Sequence, residues 1–134
     1  CRDYLAATAG LQAAMHRQLQ NACGLTLPDY DVLVALSESG RTRINDLGAQ
    51  LGWEQSRLSH QLRRMRGRGL VRRFDSADDR RGAEVDLTDA GRDQLRAAAP
   101  GHAELVRRLA FDGMSAGQAR ALRAWTTAVL ERLR

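Results

Sequence analysis

Nine arginines and only three aspartates lie between Gln55 and Arg81, a local net charge of +6 in a chain whose total is +5. All 21 basic residues are Arg, and Lys is absent. A GC-rich coding sequence accounts for that bias in composition, but not for its concentration in one segment. Arg carries a planar fork of donors that matches phosphate oxygens and guanine edges. Within the segment the polar residues are ordered. Gln55, Ser56, Arg57, Ser59, His60, Arg63 and Arg64 interleave with Leu58, Leu62 and Met65, whose spacings of four and three mark one apolar stripe of a helix. The polar set then occupies the other faces. Gln55 has the amide to read an adenine, and Arg57 or Arg63 the fork to read a guanine. Ser56 and Arg64 suit phosphate, which positions a protein without specifying sequence. Further on, Asp79 precedes Arg81 by two residues, on the same side of an extended chain. Its carboxylate can hold that guanidinium in one orientation through a charge-assisted pair. Arg80 suits phosphate.

Other chemistry is thinly represented. His16, His60 and His102 are scattered, and their spacing forms no metal site with Cys1 and Cys23. His16 and Cys23 share a helix face, but two ligands alone do not hold a metal. There is no catalytic triad, phosphate loop or paired-carboxylate constellation, so no enzymatic activity, metal or cofactor is expected. Two cysteines without a C-x-x-C motif fit a reducing compartment, and a cytoplasmic location is expected. No apolar run approaches the roughly 18 residues of a membrane span, and no signal-peptide pattern opens the chain. The chain begins at Cys1 without an initiator Met, which leaves open an earlier N-terminal stretch.

The elements that must position the basic segment can be read from caps and periodicity. At 134 residues one domain is expected, spanning 1–134. Leu11, Met15, Leu19 and Ala22 repeat at helical spacing, predicting a helix over 3–22 that Gly24 ends. Thr26 caps a second helix with Pro28 in its first turn, running to about Ser37. Asn45 is the expected cap of a short third helix from Asp46 to Leu51, and Gly52 breaks it. The basic helix follows from about Glu54 to Arg66, without an obvious capping residue. Leu70 to Phe74 reads as a strand. Ala83, Val85 and Leu87 alternate with Glu84 and Asp86 as a second strand, and the polar stretch between the two makes a hairpin. Thr88 caps a fifth helix, which Pro100-Gly101 is expected to bend or interrupt. Ser115 and Gln118 form a capping box opening a last helix, with Leu122, Trp125, Val129 and Leu133 as its stripe.

A short helix, a glycine turn, a basic helix and a hairpin make a winged helix-turn-helix, an α-rich class with a small β wing. Ile44-Asn-Asp-Leu-Gly-Ala-Gln-Leu-Gly-Trp-Glu-Gln-Ser-Arg-Leu-Ser-His-Gln-Leu-Arg-Arg-Met65 resembles the helix-turn-helix of MarR-type transcription regulators. Asp79-Arg-Arg-Gly82 with Val85-Asp-Leu-Thr-Asp-Ala-Gly91 resembles that family's wing signature, and Leu25-Thr-Leu-Pro-Asp-Tyr30 the usual start of its second helix. Gly48 departs from the family's more usual Ala, which should loosen the third helix slightly. Arg66 stands where an acidic residue is common.

The resemblance implies a reading head at 27–91 and dimerisation helices at 1–26 and 92–134. It implies a homodimer on a pseudo-palindromic duplex, with recognition helices on the order of 34 Å apart. It also implies that Arg81 enters the minor groove, and that a small aromatic or anionic effector binds near the dimerisation helices. His16, Arg17 and Tyr30 are candidate liners of that pocket. Repression is the family's common mode. Two other readings compete: a winged-helix module docking an acidic protein partner, and a regulator switched by cysteine oxidation. For the second, Cys1 lies too early and Cys23 too late to match the sensing position of oxidant-responsive relatives.

Overall fold

The computed structural model describes residues 1–75 and 82–134. The elements run α1 (Arg2–Cys23), α2 (Leu27–Ser39), β1 (Thr42–Arg43), α3 (Ile44–Leu51), α4 (Gln55–Gly67), β2 (Val71–Phe74), β3 (Glu84–Leu87), α5 (Asp89–Val106), a π-helical turn (Arg107–Phe111) and α6 (Ala116–Arg132). The architecture is mainly helical with a small antiparallel sheet, as the sequence predicts.

Local chemistry sets most boundaries. Gly24 ends α1 at φ 66°, and its N–H donates to the Gln20 carbonyl. Only Gly takes that left-handed conformation at little cost. The Thr26 hydroxyl accepts from the Asp29 N–H, while the Asp29 carboxylate accepts from the Thr26 N–H, a full capping box at the start of α2. Ser115 and Gln118 build the same device on α6.

Three expectations need correction. The sheet has three strands, in the order β1-β3-β2, and not the two of a simple hairpin. Thr42 pairs with Val85 and Arg43 with Glu84, and a two-residue strand is too short for alternation to reveal. The second correction follows from the first. Helix α3 starts at Ile44, with Arg43 at its cap and no capping side chain. The Ile44 N–H donates instead to the Ala83 carbonyl at 3.0 Å, so sheet pairing carries the chain into the helix and Asn45 caps nothing. Third, α5 continues through Pro100, and the irregular turn comes only at Arg107.

The core gathers Leu19 of α1, Leu25, Val32, Leu33 and Leu36 around α2, Leu47 of α3, Leu58 and Met65 of α4, and Val85 of β3. Each is at most 1% exposed. At the base of the wing the backbones are locked together. The Leu70 carbonyl accepts from the Thr88 N–H, and the Thr88 hydroxyl donates to Gly69 and accepts from the Gly91 N–H. A Cβ at position 91 would lie 2.1 Å from the Leu70 oxygen, so the first turn of α5 can approach the strand only through a glycine. Helix α6 is different. None of its residues is buried, and its clearest link to the rest is an edge-to-face contact of Trp125 with Tyr4 at 5.1 Å.

Candidate nucleic-acid interface

Helix α4 has two faces. Leu58, Gln61, Leu62 and Met65 are buried, and Gln55, Ser56, Arg57, Ser59, His60, Arg63 and Arg64 are all exposed. The seven polar residues singled out on this helix therefore share its solvent side. Glu54 at the cap makes no side-chain bond to the helix, which leaves the first N–H groups free to donate outward.

Two contacts hold the start of this face. The Arg57 guanidinium lies 4.4 Å from the Trp53 ring centre, a cation–π stack that limits its rotamers before any partner arrives. Gln55 lies against α3. A Cβ at Gly48 would come within 3.3 Å of its Nε2 and 3.4 Å of a Leu58 methyl. The glycine that weakens α3 as a helix thus leaves room where Gln55 crosses it.

A buried polar network holds the other end. Asp29 is 4% exposed and Gln61 3%. The Gln61 amide donates to Oδ1 of Asp29 and accepts from the Arg64 guanidinium. Arg68 donates to Oδ2 of Asp29 at 3.0 Å and to the Gly24 carbonyl at 3.1 Å. One carboxylate thus caps α2, anchors α4 and, through Gln61, steadies Arg64. Sequence reasoning missed this relay. The available signal was Gln61 itself, a polar residue three after Leu58 and four before Met65 on an otherwise apolar stripe.

The wing base carries further arginines. Arg41 lies 3.7 Å from the Phe74 ring centre and its Nε is 2.7 Å from Glu84, while Arg72 covers the same ring at 5.1 Å. Asp79, Arg80 and Arg81, the wing residues singled out in the sequence, lie outside the described residues.

The candidate effector residues are placed as follows. His16 is exposed and its Nδ1 accepts from the Leu27 N–H at 3.3 Å, so it helps hold the start of α2. Arg17 is exposed. Tyr30 is 9% exposed and stacks on His102 of α5, ring centres 4.2 Å apart. Burial, reinforced by the Asp31 carboxylate, pushes the Tyr30 phenol up. Burial pulls His102 below its ordinary 6.5, against the opposing pull of Asp31. His102 was not singled out from the sequence, yet its buried Nδ1 lacks a hydrogen-bond partner among the described residues, as does Oε1 of Gln18. Cys23 is half-buried and its thiol points at the Leu19 carbonyl, 3.4 Å away.

The chain resembles known proteins over its whole length. The MarR family model matches residues 25–82. The crystal structure of AbsC, a MarR family transcriptional regulator from Streptomyces coelicolor, is 37% identical, with a TM-score of 0.92 over 99% of this chain and 90% of that one. Sco3205, a MarR family transcriptional regulator from the same organism solved in complex with DNA, is 38% identical, with a TM-score of 0.94 over 99% of this chain and 84% of that one. An HTH-type transcriptional regulator of Bacillus subtilis, YfiV, is 30% identical over 86 residues, 63% of this chain. The match spans about half that relative's length, 54%. With identities of 37% and 38% and TM-scores of 0.92 and 0.94 over 99% of its length, the chain belongs to the MarR family of transcriptional regulators.

Proposed function

We propose that this protein regulates transcription by binding double-stranded DNA sequence-specifically as a homodimer, with 27–91 as the reading head and 1–26 and 92–134 as dimerisation helices. The observation that carries this reading is the unbroken exposed polar face of α4, seven residues wide, set on a buried stripe that fixes its orientation. An α-helix fits the major groove, and residues near its N-terminus reach base edges. Gln55, Arg57, Ser59, His60 and Arg63 are the base readers in this reading. Ser56, Arg64 and Arg80 meet phosphate, and Arg81, oriented by Asp79, enters the minor groove. Sco3205, so similar along its length, was crystallised with DNA.

The homodimer is supported by α6. Leu122, Trp125, Leu130 and Leu133 are 38%, 46%, 62% and 77% exposed. An isolated helix of this length is marginal in water, and most helices owe their stability to a covered apolar face. A second copy supplies that cover and gives the two-fold symmetry that a pseudo-palindromic operator mirrors. Repression relieved by a small aromatic or anionic effector is the regulatory mode we propose, with His16, Arg17 and Tyr30 near its site. Tyr30 packs between reading head and α5, where an occupant could alter the angle between them.

Selection of bound sequences from random duplex DNA tests the function. A recovered motif with two related half-sites about one helical turn apart is the expected result. Failure to retain any duplex at low salt would favour a protein-docking module instead.

A further inference from the structure

A cleft of about 40 Å³ lies between the recognition helix and the sheet. Its floor is apolar, made by Ile44, Leu62 and Val85. Its rim is Ser59, Arg63 and Arg66 from α4 and Arg73 from β2. Three arginine side chains from two elements therefore border one cleft with a low-dielectric floor. Among the described residues, the carboxylate paired with any of them is Asp75, with its Oδ1 2.9 Å from the Arg73 Nε. Asp75 is 79% exposed, so solvent screens that pair. Like charges bordering one cleft repel, and an arriving anion relieves the repulsion.

We propose that this cleft is a phosphate site for the DNA backbone, with Arg66 and Arg73 as contacts outside the recognition face. The inference rests on the DNA-binding reading above. Size narrows the choice of ligand. A space of this volume admits roughly one water-sized group, so a single phosphate oxygen enters and an aromatic effector does not. Arg66 approaches that oxygen from the helix and Arg73 from the sheet, while Ser59 and Arg63, which also border the cleft, keep their polar ends for the bases. A phosphate gripped from both sides fixes the angle between recognition helix and wing on the duplex. Such a contact positions without reading sequence.

The test is fluorescence anisotropy with the full chain, on a selected duplex and on one of arbitrary sequence, across a salt series. Arg66→Gln and Arg73→Gln are the variants, and Arg96→Gln on α5, an exposed arginine away from the cleft, is the control. All three side chains lie at the surface, and unchanged thermal unfolding confirms folding. Each cleft variant is expected to weaken both duplexes by the same factor and to flatten the slope of log affinity against log salt by about 1.8, one phosphate contact in each protomer of the dimer. Combining both is expected to cost less than the product of the single losses, because the two share one phosphate. Slopes no flatter than that of Arg96→Gln would overturn the proposal, as would losses confined to the selected duplex. If the wild type bound no duplex at all, the DNA-binding reading itself would fall, an outcome separable from either of these.

Discussion

Asp29 satisfies two helices with one carboxylate. It completes the α2 capping box and accepts from Gln61 and Arg68, so removing it strands Gln61 in a site where that residue is 3% exposed. An unpaired buried amide costs about 1–3 kcal/mol, and a lost cap about 1 kcal/mol. Asp29→Ala should therefore lower unfolding free energy by about 3 kcal/mol, read from urea denaturation. Gly91→Ala tests a different kind of constraint. A methyl there meets the Leu70 carbonyl oxygen, which is backbone and cannot swing aside. Overpacking of this kind typically costs about 1–3 kcal/mol, and the same denaturation measurement should show a loss at or above the top of that range. Residues of these two kinds differ in how far the sequence exposes them. The Thr26, Gly24 and Ser115 caps are local, so short patterns reveal them. The Asp29–Gln61 bond joins residues 32 apart in sequence, and no local pattern encodes it. The glycine of the wing signature was legible as a motif, but its reason appears only where α5 crosses Leu70.

Among elements, the instructive junction is α2 against α5. Tyr30 and His102 stack there, with Asp31 beside them. Burial depresses the His102 imidazole below its ordinary value, so the folded state disfavours its protonation. The sign follows: stability from this group is present above about 6.5 and is lost as pH falls through the depressed folded-state value. Asp31 attracts the protonated ring and softens the loss. Thermal unfolding of the wild type should fall as the solution is acidified below that point, and His102→Gln should flatten the fall. A His102→Gln profile parallel to the wild type would show that other groups govern it. The sequence reveals helix existence well here and helix ends less well. Thr88 and Ser115 marked the starts of α5 and α6, whereas Pro100 suggested a break that the packing of α5 on α1 overrides. Strand β1 escaped notice because two residues carry no period, and with it went the true start of α3. On α4 the stripe and the exposed face were legible together, because a basic amphipathic helix displays both in one repeat.

On the scale of the whole molecule, the apolar side of α6 and the ends it meets in α1 ask for a second chain. Tyr4, Leu5, Leu109 and Phe111 are exposed alongside Trp125 and Leu130. Trp125→Asp places a charge in that surface. It should shift the protein from dimer to monomer in analytical ultracentrifugation and weaken operator binding, since each protomer then holds one half-site alone. A monomer that kept full operator affinity would separate dimerisation from DNA reading. The proposed effector site, by contrast, has little in the sequence to mark it. His16, Arg17 and Tyr30 were drawn from resemblance, while His102 and Gln18 become visible only when α1 and α5 pack together.

The most direct measurement is an anisotropy titration of the wild-type chain against a selected duplex and a shuffled duplex of the same composition, repeated across salt. Tight binding of the selected sequence, weaker binding of the shuffled one by about 10³-fold or more, and a steeply negative salt slope are expected of a dimer gripping several phosphates and reading bases through α4. Equal affinity for the two duplexes together with a flat salt dependence would contradict it.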